Sequence, residues 1–120
     1  MAAAIASTNY VDDQFKTRRL YTAWDNRNDK ERLFRNLESL KRYGVRPDDI
    51  IVYMLIGYWA GETDNDWEYR RAALRDFGAR PYPMPFNRTR LEMGFQRYCV
   101  TRADMKVDWQ TYKAAHCRPE

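Results

Sequence analysis

The sequence predicts an α/β protein, a partial (half) β/α barrel of about three parallel strands with four to five helices, and three observations carry that expectation. The segment Leu40-Lys41-Arg42-Tyr43-Gly44-Val45-Arg46-Pro47 returns 34 residues later as Leu74-Arg75-Asp76-Phe77-Gly78-Ala79-Arg80-Pro81. In each copy a leucine and an aromatic close the buried face of a helix, glycine takes the position just past its end, and proline blocks further helix. The second observation is Ile50-Ile51-Val52-Tyr53-Met54-Leu55-Ile56-Gly57, an almost continuous apolar run that reads as a strand buried on both faces. The third is the alternation itself. The order α-β-α-β-α-β-α-α implies right-handed crossovers and a parallel sheet, with too few strands to protect both edges, so the chain looks like a piece of a larger barrel.

The elements follow in order. Met1 to Ala6 turns polar at Ser7 and has no basic stretch before it, so it reads as a helix that includes Ile5 and Phe15 rather than as a secretory signal. Arg18 to Trp24 is the first strand. Asn28 with Glu31 resembles a capping box, opening a helix whose stripe is Leu33, Phe34, Leu37 and Leu40. After the central strand, Thr63 with Asp66 opens a helix with Trp67, Leu74 and Phe77 inward, where Ala72 and Ala73 permit close approach. Arg80 to Phe86 is extended because its prolines forbid helix, and the same prolines limit its ladder. Thr89 with Glu92 opens a helix carrying Leu91, Phe95 and Tyr98 on one face, and Asp108 caps a last short helix with Trp109 and Tyr112. A 34-residue period also marks tetratricopeptide repeats, but those pair helices without strands.

Composition narrows the class. The chain has 120 residues, 44% apolar and 32% charged, with a formal net charge of +4, which fits one soluble domain spanning 1–120. No stretch nears the roughly 18 to 20 apolar residues of a membrane span. Two cysteines, Cys99 and Cys117, make neither a disulfide framework nor a four-cysteine metal site, and a cytoplasmic location is expected. His116 stands alone, without companion spacing for metal or triad chemistry.

In parallel α/β sheets ligands bind beyond the C-terminal ends of the strands. The segments there are Trp24-Asp25-Asn26, Gly57-Tyr58-Trp59-Ala60-Gly61-Glu62-Thr63 and Met84-Pro85-Phe86-Asn87-Arg88, a set of carboxylates and aromatic rings suited to a nucleoside-like ligand. Each also has a plainer role. Asp25 and Asn26 suit a turn, Glu62 and Thr63 a helix start, and Trp24, Trp59 and Trp67 suit packing. Arg70, Arg71 and Arg75 suit a solvated helix face.

Taken in order, Leu20-Tyr21-Thr22-Ala23-Trp24-Asp25-Asn26, Tyr43-Gly44-Val45-Arg46-Pro47, Ile51 to Tyr58 with Ala60-Gly61-Glu62-Thr63 and Asp66, and Phe77 to Phe86 resemble the C-terminal half of radical S-adenosylmethionine proteins. The Gly-x-x-x-Gly-Glu-Thr after the central strand looks like that family's Gly-x-Pro-Gly-Glu-Thr with one residue more. The resemblance covers nearly the whole chain. It implies a partial TIM-type barrel, a [4Fe-4S] iron–sulfur cluster and S-adenosylmethionine, used for radical hydrogen abstraction from a substrate. Carried across, it puts Ile56, Gly57 and Tyr58 near the adenine, Glu62 in the same loop, Met84 and Pro85 at the next strand end, and Trp24 and Asp25 near the ligand's polar portion or the substrate. The family's C-x-x-x-C-x-x-C is absent here, as is its early glycine-rich acidic segment. The expectation is therefore a truncated or split protein, inactive and without the cluster when alone, partnered by a separate N-terminal half or by self-association.

Two other classes stay open. A single-stranded nucleic-acid binder draws on the arginines and aromatic rings, but the basic residues are interleaved with acids and form no stripe, which makes a nucleic-acid partner the lesser expectation. A protein-interaction module would use the same aromatic loops against a partner.

Overall fold

The computed structural model describes residues 20–25 and 27–117. The first strand, β1 (Leu20–Ala23), is followed by α1 (Lys30–Arg42), β2 (Ile50–Ile56), α2 (Asp64–Phe77), β3 (Arg80–Pro85), α3 (Arg90–Val100) and α4 (Trp109–His116). The strands form one open parallel sheet in the order β1-β2-β3, with Leu20 opposite Ile50 and Ile51 opposite Arg80. This is the α/β class that the alternation predicts. The N-terminal helix predicted around Ile5 and Phe15, and residues 18–19 of the first strand, lie outside the described residues.

Strand periodicity separates the two faces of the sheet. Leu20, Ile50, Val52, Met54 and Ile56 join the stripes of all four helices in one core. On the other face Ile51 is buried too, but Tyr53 and Leu55 beside it are only half-buried, so β2 is sealed on both faces only at its start and not along the whole apolar run. The second face instead carries a tyrosine ladder. The Tyr21 and Tyr53 rings stack at 5.6 Å between centroids, and Tyr53 meets Tyr82 edge-on at 5.5 Å. Aromatic cross-strand contacts stabilise this partly exposed sheet face.

The prolines of β3 have a definite direction. In a strand, alternate N–H groups point to opposite edges, and the Phe86 N–H points inward, donating to the Ile56 carbonyl at 2.9 Å. Pro81, Pro83 and Pro85 share the opposite phase, so their missing donors fall on the outer edge, where Gln96 Nε2 also donates to the Pro83 carbonyl at 3.1 Å. Six residues of β3 nevertheless pair with β2. Proline thus leaves the inner ladder intact and closes the outer edge to another strand.

The repeated helix stop is structurally real. Val45 N donates to Leu40 O and Ala79 N to Leu74 O, both at 3.0 Å, while Gly44 and Gly78 adopt φ of +95° and +103°, the left-handed helix termination. Of the predicted caps, Thr63 and Asp66 form the reciprocal box, Thr89 accepts from Glu92 N, and Asp108 accepts from Thr111 N. Asn28 is not the α1 cap. A tight 3-10 turn over Arg27–Asp29 carries the chain one residue further, so Asp29 takes the N-cap position without a side-chain cap hydrogen bond, and its carboxylate pairs with Arg32 at 3.2 Å instead.

Candidate functional site

Beyond the C-terminal ends of β1 and β2 lies a pocket of about 260 Å³ lined by Asp25, Asn28, Trp59, Ala60, Gly61, Glu62, Asp66 and Arg70. Its floor is an ion pair. One Glu62 carboxylate oxygen accepts the Tyr58 and Trp59 N–H groups at 3.2 and 2.9 Å, and the other accepts the Gly57 N–H at 3.0 Å, the Trp67 indole N–H, and Arg70 Nη2 at 3.3 Å. The two side chains are 5% and 4% exposed. Arg70 Nη1 also donates to the Trp24 carbonyl at 3.0 Å. One guanidinium therefore ties α2 to the end of β1 and to the loop after β2.

Arg70 does not lie on a solvated face. It sits three residues after Trp67 and four before Leu74, on the same buried stripe, and burial pulls its guanidinium below its ordinary value against the opposing fields of Glu62, Asp25 and Asp66. Arg71 and Arg75 are half-buried as well, converging on the Asp104 carboxylate at 3.0 and 2.7 Å. A basic residue on an apolar stripe demands a buried acid, and that demand was the signal in the sequence for Arg70 and Glu62.

The loop after β2 is shaped by two glycines. Gly57 and Gly61 have φ of +78° and +77°. Gly57 is also enclosed: its carbonyl accepts from Asn87 Nδ2 at 2.7 Å, and a Cβ there would stand 2.0 Å from Glu92 Oε2. Glu92, itself buried, repeats the role of Glu62 one strand along, accepting the Asn87 and Arg88 N–H groups at 2.9 Å each. Glu92 and Asn87 were identifiable only as a helix start and a loop polar residue. Their role arises from the close approach of the two loops.

The predicted site residues fall into four groups. Asp25 and Glu62 line the pocket together with Trp59, whose indole N–H donates to the Asp25 carbonyl at 2.7 Å, while one Asp25 oxygen accepts the Leu55 N–H at 3.3 Å. Gly57 and Tyr58 belong to the loop beside it, and the half-exposed Tyr58 ring meets Trp59 and Phe86 edge-on at 4.8 and 4.9 Å. Trp24 and Ile56 are fully buried in the core, with the Trp24 ring edge-on to Phe34 at 5.5 Å. Met84 is exposed and Pro85 half-buried on β3, and neither lines the pocket.

Among the described residues no group of three or more His, Cys, Asp or Glu is placed to hold a metal ion. Cys99 and Cys117 are both buried, and burial raises the Cys99 thiol well above its ordinary value, which disfavours the thiolate that metals require. No helix of the described residues is long and apolar enough to cross a membrane. Family models, curated proteins and solved structures each yielded no match to the chain.

Proposed function

We propose that this chain is the C-terminal half of a radical S-adenosylmethionine-type partial barrel, one that contributes nucleoside-holding strand ends to an assembly whose cluster lies on other residues. The observation that carries the proposal is the asymmetry of the sheet: three parallel strands with helices packed on one face, a tyrosine-lined second face, and a pocket at the C-terminal strand ends. A complete barrel would turn such a face inward. The proline-closed edge of β3 leaves β1 as the edge where further strands would add.

The [4Fe-4S] cluster does not fit this chain. Two buried thiols on α3 and at the end of α4 offer neither the number nor the exposure that cluster ligation needs. For S-adenosylmethionine the strand ends do offer a fit, in the Trp59 and Tyr58 rings for stacking and the Asp25 carboxylate for a polar end. Bound in a complete assembly, that cofactor supplies radical hydrogen abstraction. The contribution of this chain is to bind and orient the ligand: Glu62 and Arg70 fix the loop that presents Tyr58 and Trp59, and Trp59 in turn holds the Asp25 backbone.

A second function, binding of single-stranded nucleic acid, draws support from the contiguous exposed rings of Tyr58, Trp59 and Phe86 beside Arg88. The carboxylates of Asp25 and Asp66 next to those rings oppose a phosphate backbone, which places it second. Salt-dependent retention on single-stranded DNA or RNA would favour it.

Anaerobic iron and sulfide analysis after attempted cluster reconstitution, with calorimetry of adenosine and S-adenosylmethionine binding, tests the proposal. Absence of stoichiometric iron together with nucleoside binding that Asp25→Ala and Tyr58→Ala abolish is the expected result. Stoichiometric iron would make the chain a self-contained metalloenzyme. Failure to bind either nucleoside would leave an interaction module whose aromatic loops pack on a partner.

A further inference from the structure

We propose that the strand-end pocket is a site for a small organic cation, a methylated ammonium centre seated against the Trp59 ring beside Asp25 and Asp66. This rests on the location argued above, but not on the ligand being a nucleoside. The pocket's charge is opposite to that of the chain. While the sequence nets +4, the side chains that line the pocket among the described residues carry three carboxylates, Asp25, Glu62 and Asp66, against the one guanidinium of Arg70.

These charges are not equivalent. Glu62 and Arg70 are spent on each other, on three backbone N–H groups and on the Trp24 carbonyl, and they form a neutral, buried floor. Asp66 caps α2 through the Thr63 N–H at 3.0 Å, and Asp25, exposed at the rim, has one oxygen on the Leu55 N–H. The field left at the mouth is negative. An entering anion would meet these carboxylates with the Arg70 guanidinium already engaged, whereas a cation gains from both.

The aromatic wall is an independent feature. Donation of the Trp59 indole N–H to the Asp25 carbonyl fixes the ring across the rim, and Trp59 remains 46% exposed. A half-exposed indole beside carboxylates attracts cations through its quadrupole, most effectively diffuse ones that lose little hydration. A metal ion is the poorer fit, because no group of three or more His, Cys, Asp or Glu among the described residues is placed to ligate one. A volume of about 260 Å³ suits a compact head group.

The test is calorimetric titration of the purified chain with choline, adenosine and inorganic phosphate in turn, repeated on D25N and W59F. D25N keeps an oxygen for the Leu55 N–H, and circular dichroism confirms that each variant folds. Saturable choline binding is expected, weakened roughly tenfold in D25N and about threefold in W59F and declining with added salt, with no heat from phosphate. Should D25N fail to fold, W59F and the salt dependence decide. The inference is overturned if choline gives no saturable binding, if both folded variants bind it as the wild type does, or if phosphate binds instead. Adenosine binding without choline binding would overturn this inference and leave the nucleoside proposal standing, and choline without adenosine would do the reverse.

Discussion

Glu62 accepts the Gly57 N–H at 3.0 Å, so the acid just before the N-cap of α2 reaches back to the residue that follows β2. That contact, with its neighbours to Tyr58 and Trp59, makes the loop between β2 and α2 a rigid platform.

Breaking the Glu62–Arg70 pair should cost far more than an exposed ion pair. Both groups are almost wholly buried, and removal of one partner strands the other, a penalty of about 3–5 kcal/mol. Glu62→Ala and Arg70→Ala should each lower the urea midpoint accordingly. Arg70→Lys should rescue little, since one ammonium cannot span the Trp24 carbonyl and Glu62 together. Near-wild-type unfolding of either alanine variant would contradict the assignment.

Two glycines of the same loop should respond unequally to alanine. At Gly61 nothing lies within 4 Å of a new Cβ, so only left-handed strain remains, about 1–2 kcal/mol. At Gly57 the methyl group would collide with the Glu92 carboxylate as well. Gly57→Ala should be clearly the more destabilised of the two in parallel thermal unfolding.

Acid should loosen α4 through Asp64. Burial raises this carboxyl, but hydrogen bonds from Lys113 and Trp109 and the Lys113 charge outweigh it and hold the group below its ordinary value. A lowered folded value means that the contribution is present above the unfolded value, roughly pH 4, and is lost as pH falls through the folded one. Asp64→Asn should therefore be less stable than wild type at neutral pH, with the difference vanishing in acid. A pH-independent difference in denaturation midpoint would count against it.

Restoring donors to the outer edge of β3 should make the chain associate. Pro81→Val with Pro85→Val returns two N–H groups to an edge that proline silences. Sedimentation velocity over a range of concentrations should show more oligomer than wild type, while an unchanged profile would mean that Gln96 and α3 already cover the edge.

What was legible in the chain was local. The Thr63, Thr89 and Asp108 caps and the paired stops at Gly44 and Gly78 depend on residues a few positions apart, and all were found where the sequence puts them. The apolar run of β2 was equally plain, but a run cannot say which neighbours are missing, and so the half-exposed positions of Tyr53 and Leu55 were not visible. The places of Asp25 and Glu62 in the pocket followed from the strand-end rule. The partners of Arg70, Asn87 and Glu92 did not, because they come from elements brought together by the sheet: Arg70 reaches Trp24 across 46 residues and Asn87 reaches Gly57 across 30.

The most direct test of a ligand site at these strand ends is amide and indole chemical-shift mapping by nuclear magnetic resonance as adenosine is titrated into the chain. Saturable shifts confined to Asp25, Gly57 to Glu62 and the Trp59 indole are the predicted result. No shifts, or shifts centred on the Tyr21, Tyr53 and Tyr82 face, would contradict it.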